Sequence, residues 1–378
     1  MLTYSTKPRG GVVHSLELAE ALMDRGVKVH LFGLGKSGES FFRPTKVPFT
    51  LFPSIDDAST LDEKVFASVD SMAAGLRNWS SEFDVFHAQD CISARAATRI
   101  RDNLAHIPVI RTVHHIDDFT TAALMDCQRQ AIIEPDHILV VSQAWQETIR
   151  AEFHIGADIV ANGVRPERFA PISAEVRSSL RDSLAVGDRT VLLAVGGIEP
   201  RKGSHELFQA LGILKSRFHN VVLVIIGAHS FQDYEAYRQA GLNLLPSLDL
   251  ELGRDIVQLG TVDEKDLARW FRAADILVYP STKEGFGLVP LEALAADLPV
   301  IASSIPVFRE FLVDRVSALL PEVGNPLAIA NAVEELVMDA TLRAKLIAGG
   351  RLVVPKYSWG ASALRHEEIY RKVINSDA

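Results

Sequence analysis

Short, wholly apolar runs set apart by helix-length stretches constrain this chain most. Val191 to Val195, Val221 to Ile226 and Ile276 to Tyr279 have no polar residue at alternate positions. A strand apolar on both sides must be covered on both sides, as in a parallel sheet sandwiched between helices. Further strand signals stand at Val27 to Phe32, Val47 to Phe52, Asp84 to His87, Val109 to Val113, His137 to Val141, Ile256 to Leu259 and Val300 to Ala302, with a fainter one at Ala318 to Leu320. The second-half strand begins at Thr190, and Leu2 to Ser5 is a short strand at most. Helical periodicity fills the gaps. Val12, Leu16, Ala19, Leu22 and Met23 share a face before Gly26, and similar patterns cover 204–217, 263–273, 290–297, 306–312, 326–338 and Trp359 to Val373. The alternation predicts an α/β protein built from βαβ units.

The rhythm breaks once, where Asn162-Gly163-Val164-Arg165-Pro166 leads to Phe169-Ala170-Pro171, and then restarts. A chain of 378 residues exceeds one ordinary core. The expectation is therefore two Rossmann-like, doubly wound parallel-sheet domains, 1–165 and 166–357, facing across a cleft, with a last helix at about 358–378. Ligands of such sheets sit at the carboxyl ends of the strands.

Composition narrows the partners. With 48% apolar and 23% charged residues the chain reads as globular, and its net charge of −9 argues against a nucleic-acid binder. The longest apolar run, Val221 to Ala228, falls far short of a membrane span, and no signal-peptide pattern opens the chain. Two cysteines, Cys91 and Cys127, fit a reducing, cytoplasmic setting. Residues 1–165 hold 16 Lys+Arg against 21 Asp+Glu, which gives no support for docking on an anionic bilayer, although a local patch for peripheral contact stays open. Oligomeric state has no signal here.

Candidate chemistry lies after the strands. Glu284-Gly285-Phe286-Gly287-Leu288-Val289-Pro290-Leu291-Glu292 reads as strand, glycine loop, then helix. The helix start offers free backbone amides to a phosphate, and a carboxylate at each end can accept sugar or ribose hydroxyls. A tight connection with two solvated acids has the same pattern. Arg201-Lys202-Gly203, after Gly196-Gly197, suits a diphosphate, or is a solvated basic turn. Gly10-Gly11 permits close backbone approach, or is a plain turn. His114-His115 ends a strand before Asp117-Asp118 and can meet a sugar hydroxyl; a metal site there lacks the cysteine or further histidine that zinc prefers. Asp90, after His87-Ala88-Gln89, could face the cleft, while Cys91 reads as apolar filler.

Together these residues resemble the retaining glycosyltransferases of the GT-B fold, family four (glycosyl transferases group 1). The resemblance rests on Gly10-Gly11, Thr112-Val113-His114, Val140-Val141-Ser142, Asn162-Gly163-Val164, Arg201-Lys202-Gly203, Ala274-Asp275 and Tyr279 through Glu292-Ala293. It implies transfer of a hexosyl group from a UDP-, GDP- or ADP-sugar to an acceptor hydroxyl, with no tightly bound cofactor and no metal. It assigns Glu284 to donor-sugar hydroxyls and Lys202 with Arg201 to the diphosphate. Phe286, Gly287, Leu288 and Val289 would line sugar and phosphates, Glu292 the ribose, and Thr261 and Val262 the base. His114 would touch the sugar near the reacting face, with Asp90 and His115 on the acceptor side. The last helix would pack back on the first domain. Two departures stand out. The family commonly has arginine where Gly197 stands, so Arg201 would take its part, and members carry several more residues ahead of Leu2. A sugar-nucleotide epimerase of similar architecture, or a non-catalytic nucleotide-sugar-binding protein, would share the nucleotide signals.

Overall fold

A computed structural model describes residues 1–104, 106–217, 220–227 and 234–376. Ala228, at the end of the longest apolar run, and the last two residues of the predicted tail helix lie outside that set. The chain forms two compact units, Met1–Gly163 with Ser358–Ala378, and Val164–Tyr357.

In the first unit, β1 (Leu31–Gly35), β2 (Phe49–Pro53), β3 (Phe86–Ala88), β4 (Val109–Val113), β5 (His137–Val140) and β6 (Asp158–Ile159) are all paired in parallel. Leu2 joins the two ladders, bridging Phe32 of β1 and Ala88 of β3. Its amide donates to the His87 carbonyl at 2.8 Å, and its carbonyl accepts from Gln89 at 3.0 Å. The order is thus β2, β1, Leu2, β3, β4, β5, β6. The chain leaves Leu2 in one direction and returns on its other side, so the winding reverses beside Leu2 and β3. The strand expected at Val27 to Phe32 instead begins at Leu31 and runs on through Gly33 and Gly35. Those glycines, ordinarily strand breakers, belong there because Leu51 of β2 crowds them: a Cβ on either would stand 3.1 or 2.8 Å from its side chain.

In the second unit, among the described residues, five parallel strands run in the order β11-β10-β7-β8-β9: β7 (Thr190–Val195), β8 (Val221–Ile226), β9 (Ile256–Gly260), β10 (Ile276–Tyr279) and β11 (Val300–Ala302). β8 is buried along its whole length, as an apolar run requires. Ala318 to Leu320 makes only isolated bridges, and the helix expected over 306–312 closes after four residues, Pro306–Arg309. The helix Ala340–Val353 carried no clear signal because Gly349-Gly350 interrupts its pattern. Gly349 is required by crowding, since a Cβ would sit 1.9 Å from the Val316 carbonyl oxygen.

Candidate functional site

The second sheet winds from β7 out through β8 to β9, then crosses back to β10 on the other side of β7. The loops leaving β7 and β10 therefore emerge side by side at the reversal point, where open α/β sheets place ligands. The β7 loop carries Arg201 and Lys202; the β10 loop carries Glu284. Lys202 Nζ donates to Glu284 Oε1 at 2.7 Å, and an Arg201 amino nitrogen lies 2.9 Å from the same oxygen. Tyr279, the last residue of β10, donates its hydroxyl to that oxygen at 3.0 Å and accepts from Lys202. Burial pushes the Glu284 carboxyl up, but Lys202 and Arg201 outweigh it and hold the group at about 2, so it is ionised. Burial lowers the Lys202 ammonium, with Arg201 adding to the effect against Glu284.

The two loops are locked by backbone. Gly203 adopts φ +64°, and a Cβ on it would stand 2.3 Å from the Pro280 carbonyl oxygen, while Thr282 N–H donates to the Arg201 carbonyl at 2.9 Å. Gly196, at φ +135°, lies under Lys202, whose Cε would be 3.0 Å from an added Cβ. Gly196, Gly197, Lys202, Tyr279 and Pro280 line one small cavity.

The helix Leu288–Ala295 starts at Gly287, whose φ of +107° turns the chain into it, and among the described residues no side chain caps that start. Its first amides, on Leu288 and Val289, have the free-ended character that favours an anion. Phe286 is buried and stacks on Phe311 at 5.4 Å between centroids, so it anchors the loop through its side chain. Glu292, one turn into the helix, has Arg168 at 3.8 Å; Arg168 also pairs with Glu264 at 3.3 Å. Thr261 and Val262 follow β9, where Gly260 (φ +64°) accepts from Gly227 N–H at 2.9 Å.

In the first unit, His114 follows β4 and Gly11 lies against it: a Cβ on Gly11 would meet the ring at 3.6 Å. Gly10 and Gly11 open the helix Gly10–Asp24. His114 Nε2 is 2.9 Å from Gln89 Oε1, and burial followed by His14 keeps its imidazole well below the usual range. His115 turns elsewhere, exposed and 3.1 Å from Asp117. Asp90 is the N-cap of the helix Cys91–Asn103. One oxygen accepts from Ser93 N–H and the other from Tyr4 N–H, both at 2.8 Å, so its charge is spent on backbone amides. Cys91 is half-buried, and desolvation raises its thiol to about 12.

Sequence reasoning passed over Tyr279, Glu199 and Arg168. Glu199 lies 3.6 Å from Arg201 and Arg168 beside Glu292, contacts that need the folded loops. Tyr279 had a signal, a phenol closing a buried strand. Gln89, after β3, carries no sequence signal of a role.

These loops and sheets have known counterparts. A family model described as glycosyl transferases group 1 matches residues 176–353, and one described as Glycosyltransferase Family 4 matches residues 8–168. The chain belongs to this glycosyltransferase family and is a transferase enzyme. It is 28% identical to a D-inositol 3-phosphate glycosyltransferase of Xylanimonas cellulosilytica, over 97% of this chain and 92% of that one. It is 29% identical to a phosphatidyl-myo-inositol mannosyltransferase of Mycobacterium tuberculosis, over 99% and 96%. Among solved structures, Anabaena HepE in complex with UDP-glucose superposes with a TM-score of 0.83 at 20% identity over 98% of both chains, a likeness of fold. The architecture is that of the GT-B glycosyltransferases.

Proposed function

We propose that this glycosyltransferase moves a hexosyl group from a nucleotide diphosphate sugar to an acceptor hydroxyl, retaining the anomeric configuration and using no protein-bound metal. The observation that carries this is the convergence of Lys202 and Arg201 on one oxygen of Glu284 at the reversal point of the second sheet. Two cations held in place by a single carboxylate are pre-oriented for a diphosphate, whose charge grows as the sugar leaves. The Leu288 and Val289 amides add helix-end stabilisation. Glu284 takes sugar hydroxyls, and Glu292 takes the ribose. His114, in the first unit, offers its imidazole to a sugar hydroxyl. The bond from the anomeric carbon to the phosphate oxygen breaks with its electron pair going to phosphate. The acceptor oxygen bonds on the same face, and its proton passes to the leaving phosphate oxygen. The bound UDP-glucose of HepE supports a uridine donor as the first to test, and the inositol-based names of the relatives support a cyclitol hydroxyl as the first acceptor.

Lys202→Ala should lower kcat about 100-fold or more while leaving the protein folded, read by product formation beside a melting curve. Wild-type turnover in a folded Lys202→Ala protein overturns the assignment. Donor conversion without a glycosylated product would mark an epimerase instead.

A further inference from the structure

Beneath His114 lies a buried chain of polar side chains that the transfer reaction, as described, does not use. Gln89 follows β3, at the point where the first sheet reverses its winding, and its backbone amide donates to the Leu2 carbonyl at 3.0 Å. The residue is 4% exposed, and its side chain touches two imidazoles. Gln89 Oε1 is 2.9 Å from His114 Nε2, and Gln89 Nε2 is 3.1 Å from His87 Nε2. His87 Nε2 also lies 2.7 Å from the Thr112 hydroxyl, and His87 Nδ1 lies 2.7 Å from the Tyr370 hydroxyl on the last helix, Trp359–Ser376.

An amide is chemically one-directional: its oxygen only accepts and its nitrogen only donates. Gln89 Oε1 therefore requires a proton on His114 Nε2, and Gln89 Nε2 requires a bare His87 Nε2. His87 then carries its proton on Nδ1 and donates to Tyr370. Every member of the chain Tyr370, His87, Gln89, His114 is fixed by its neighbour. His114 is left with an unprotonated Nδ1, an acceptor to which no described residue donates. Which nitrogen of a histidine is protonated is set by the bond the other makes. The alternative amide orientation would reverse all four members and leave His114 with Nδ1–H, a donor.

We propose that Gln89 is a positioning residue that locks His114 in its Nε2–H tautomer, so that Nδ1 accepts a hydrogen bond from a substrate hydroxyl. Tyr370, the far end of the chain, couples this tautomer to the docking of the last helix on the first unit. The proposal deepens the transferase reading and rests on it for the role of His114; the state of the ring itself does not depend on it.

Two measurements separate these layers. In ring-labelled protein, long-range proton–nitrogen spectra should show His114 as the Nε2–H tautomer, with the signal becoming a mixture in Gln89→Leu. A wild-type Nδ1–H tautomer, or a spectrum unchanged in Gln89→Leu, overturns the proposal whatever the activity. In turnover, Gln89→Leu should lower kcat about 10-fold, the scale of losing a group that orients an active-site ligand, with the KM for donor little changed. Gln89→Glu places a carboxylate beside His114 and favours its charged form. The titratable groups nearest that ring, His14 on the first helix, His115 and Arg111 on its own strand and loop, and His366 on the last helix, all oppose charging. The acidic limb of kcat should therefore move to higher pH in Gln89→Glu, with activity recovering as pH rises, whereas Gln89→Leu stays depressed at all pH values. Wild-type kcat in a Gln89→Leu protein whose tautomer has become mixed removes the catalytic role while leaving the donor-site reading intact. Loss of turnover in Lys202→Ala is the separate test of that reading.

Discussion

At the residue scale, the side chains that matter were mostly visible in the sequence, but their partners were not. Arg201, Lys202 and Glu284 stood out as charges in loops after apolar runs; that one carboxylate oxygen gathers both cations and a phenol required the fold. His14, His87 and His366 show the reverse. A lone histidine in an apolar helix or strand reads as filler, yet these three rings cluster with His114, with His14 and His114 at 4.6 Å and His87 and His366 at 5.4 Å between centroids. The buried rings make stability depend on pH. Burial lowers His14 from 6.5 to about 3 and His366 from 6.5 to about 4, so the unfolded chain takes up protons that the folded one refuses. Stability should fall as pH drops from 6.5 toward those values, by up to about 1.4 kcal/mol per pH unit for each ring. Glu284, depressed from 4.5 to about 2, adds a second loss as pH falls through that lower window. Urea midpoints across this range should decline steadily; a midpoint constant from pH 7 to pH 5, roughly the upper part of the histidine window, would contradict the prediction.

At the element scale, strands and their end loops were the legible part. Val109 to Val113, Thr190 to Val195, Val221 to Ile226, Ile276 to Tyr279 and Val300 to Ala302 coincide with their predicted limits, because a strand covered on both faces is mostly apolar and stands out from its neighbours, even where it buries a polar side chain such as Arg111 or Thr112. Edges and glycine-bearing elements were harder, since β1 and the helix Ala340–Val353 contain glycines whose purpose is close packing rather than termination. Gly203 tests how tightly the two site loops depend on one another. Gly203→Ala must bear a left-handed backbone, costing about 1–2 kcal/mol, and drive its methyl into the Pro280 carbonyl oxygen, 2.3 Å away before relaxation. The variant should melt lower and lose donor binding, measured by nucleotide-diphosphate titration. Tight binding in Gly203→Ala would mean that the loops are set independently.

For the whole molecule, the chain's last helix is decisive. Trp359, Ala363, His366, Ile369, Tyr370 and Val373 are all buried, and the helix belongs to the unit built from the chain's beginning. Gly163 records how closely the chain passes there, since a Cβ would lie 2.2 Å from the Trp359 nitrogen. Ending the chain at Tyr357 should unfold the first unit and leave 164–357 folded and able to bind nucleotide diphosphates, seen by limited proteolysis and titration; a truncated chain with its first unit intact would refute this. No helix among the described residues is long and apolar enough to cross a membrane. By itself the sequence determined the parallel α/β layers, the restart near residue 165 and the charged loops, because strand burial, turn chemistry and charge are local properties. Only the tertiary structure decided which strands are neighbours. That order brings Lys202 to Glu284 and Gln89 to His114, contacts between residues 82 and 25 positions apart that no local signal encodes.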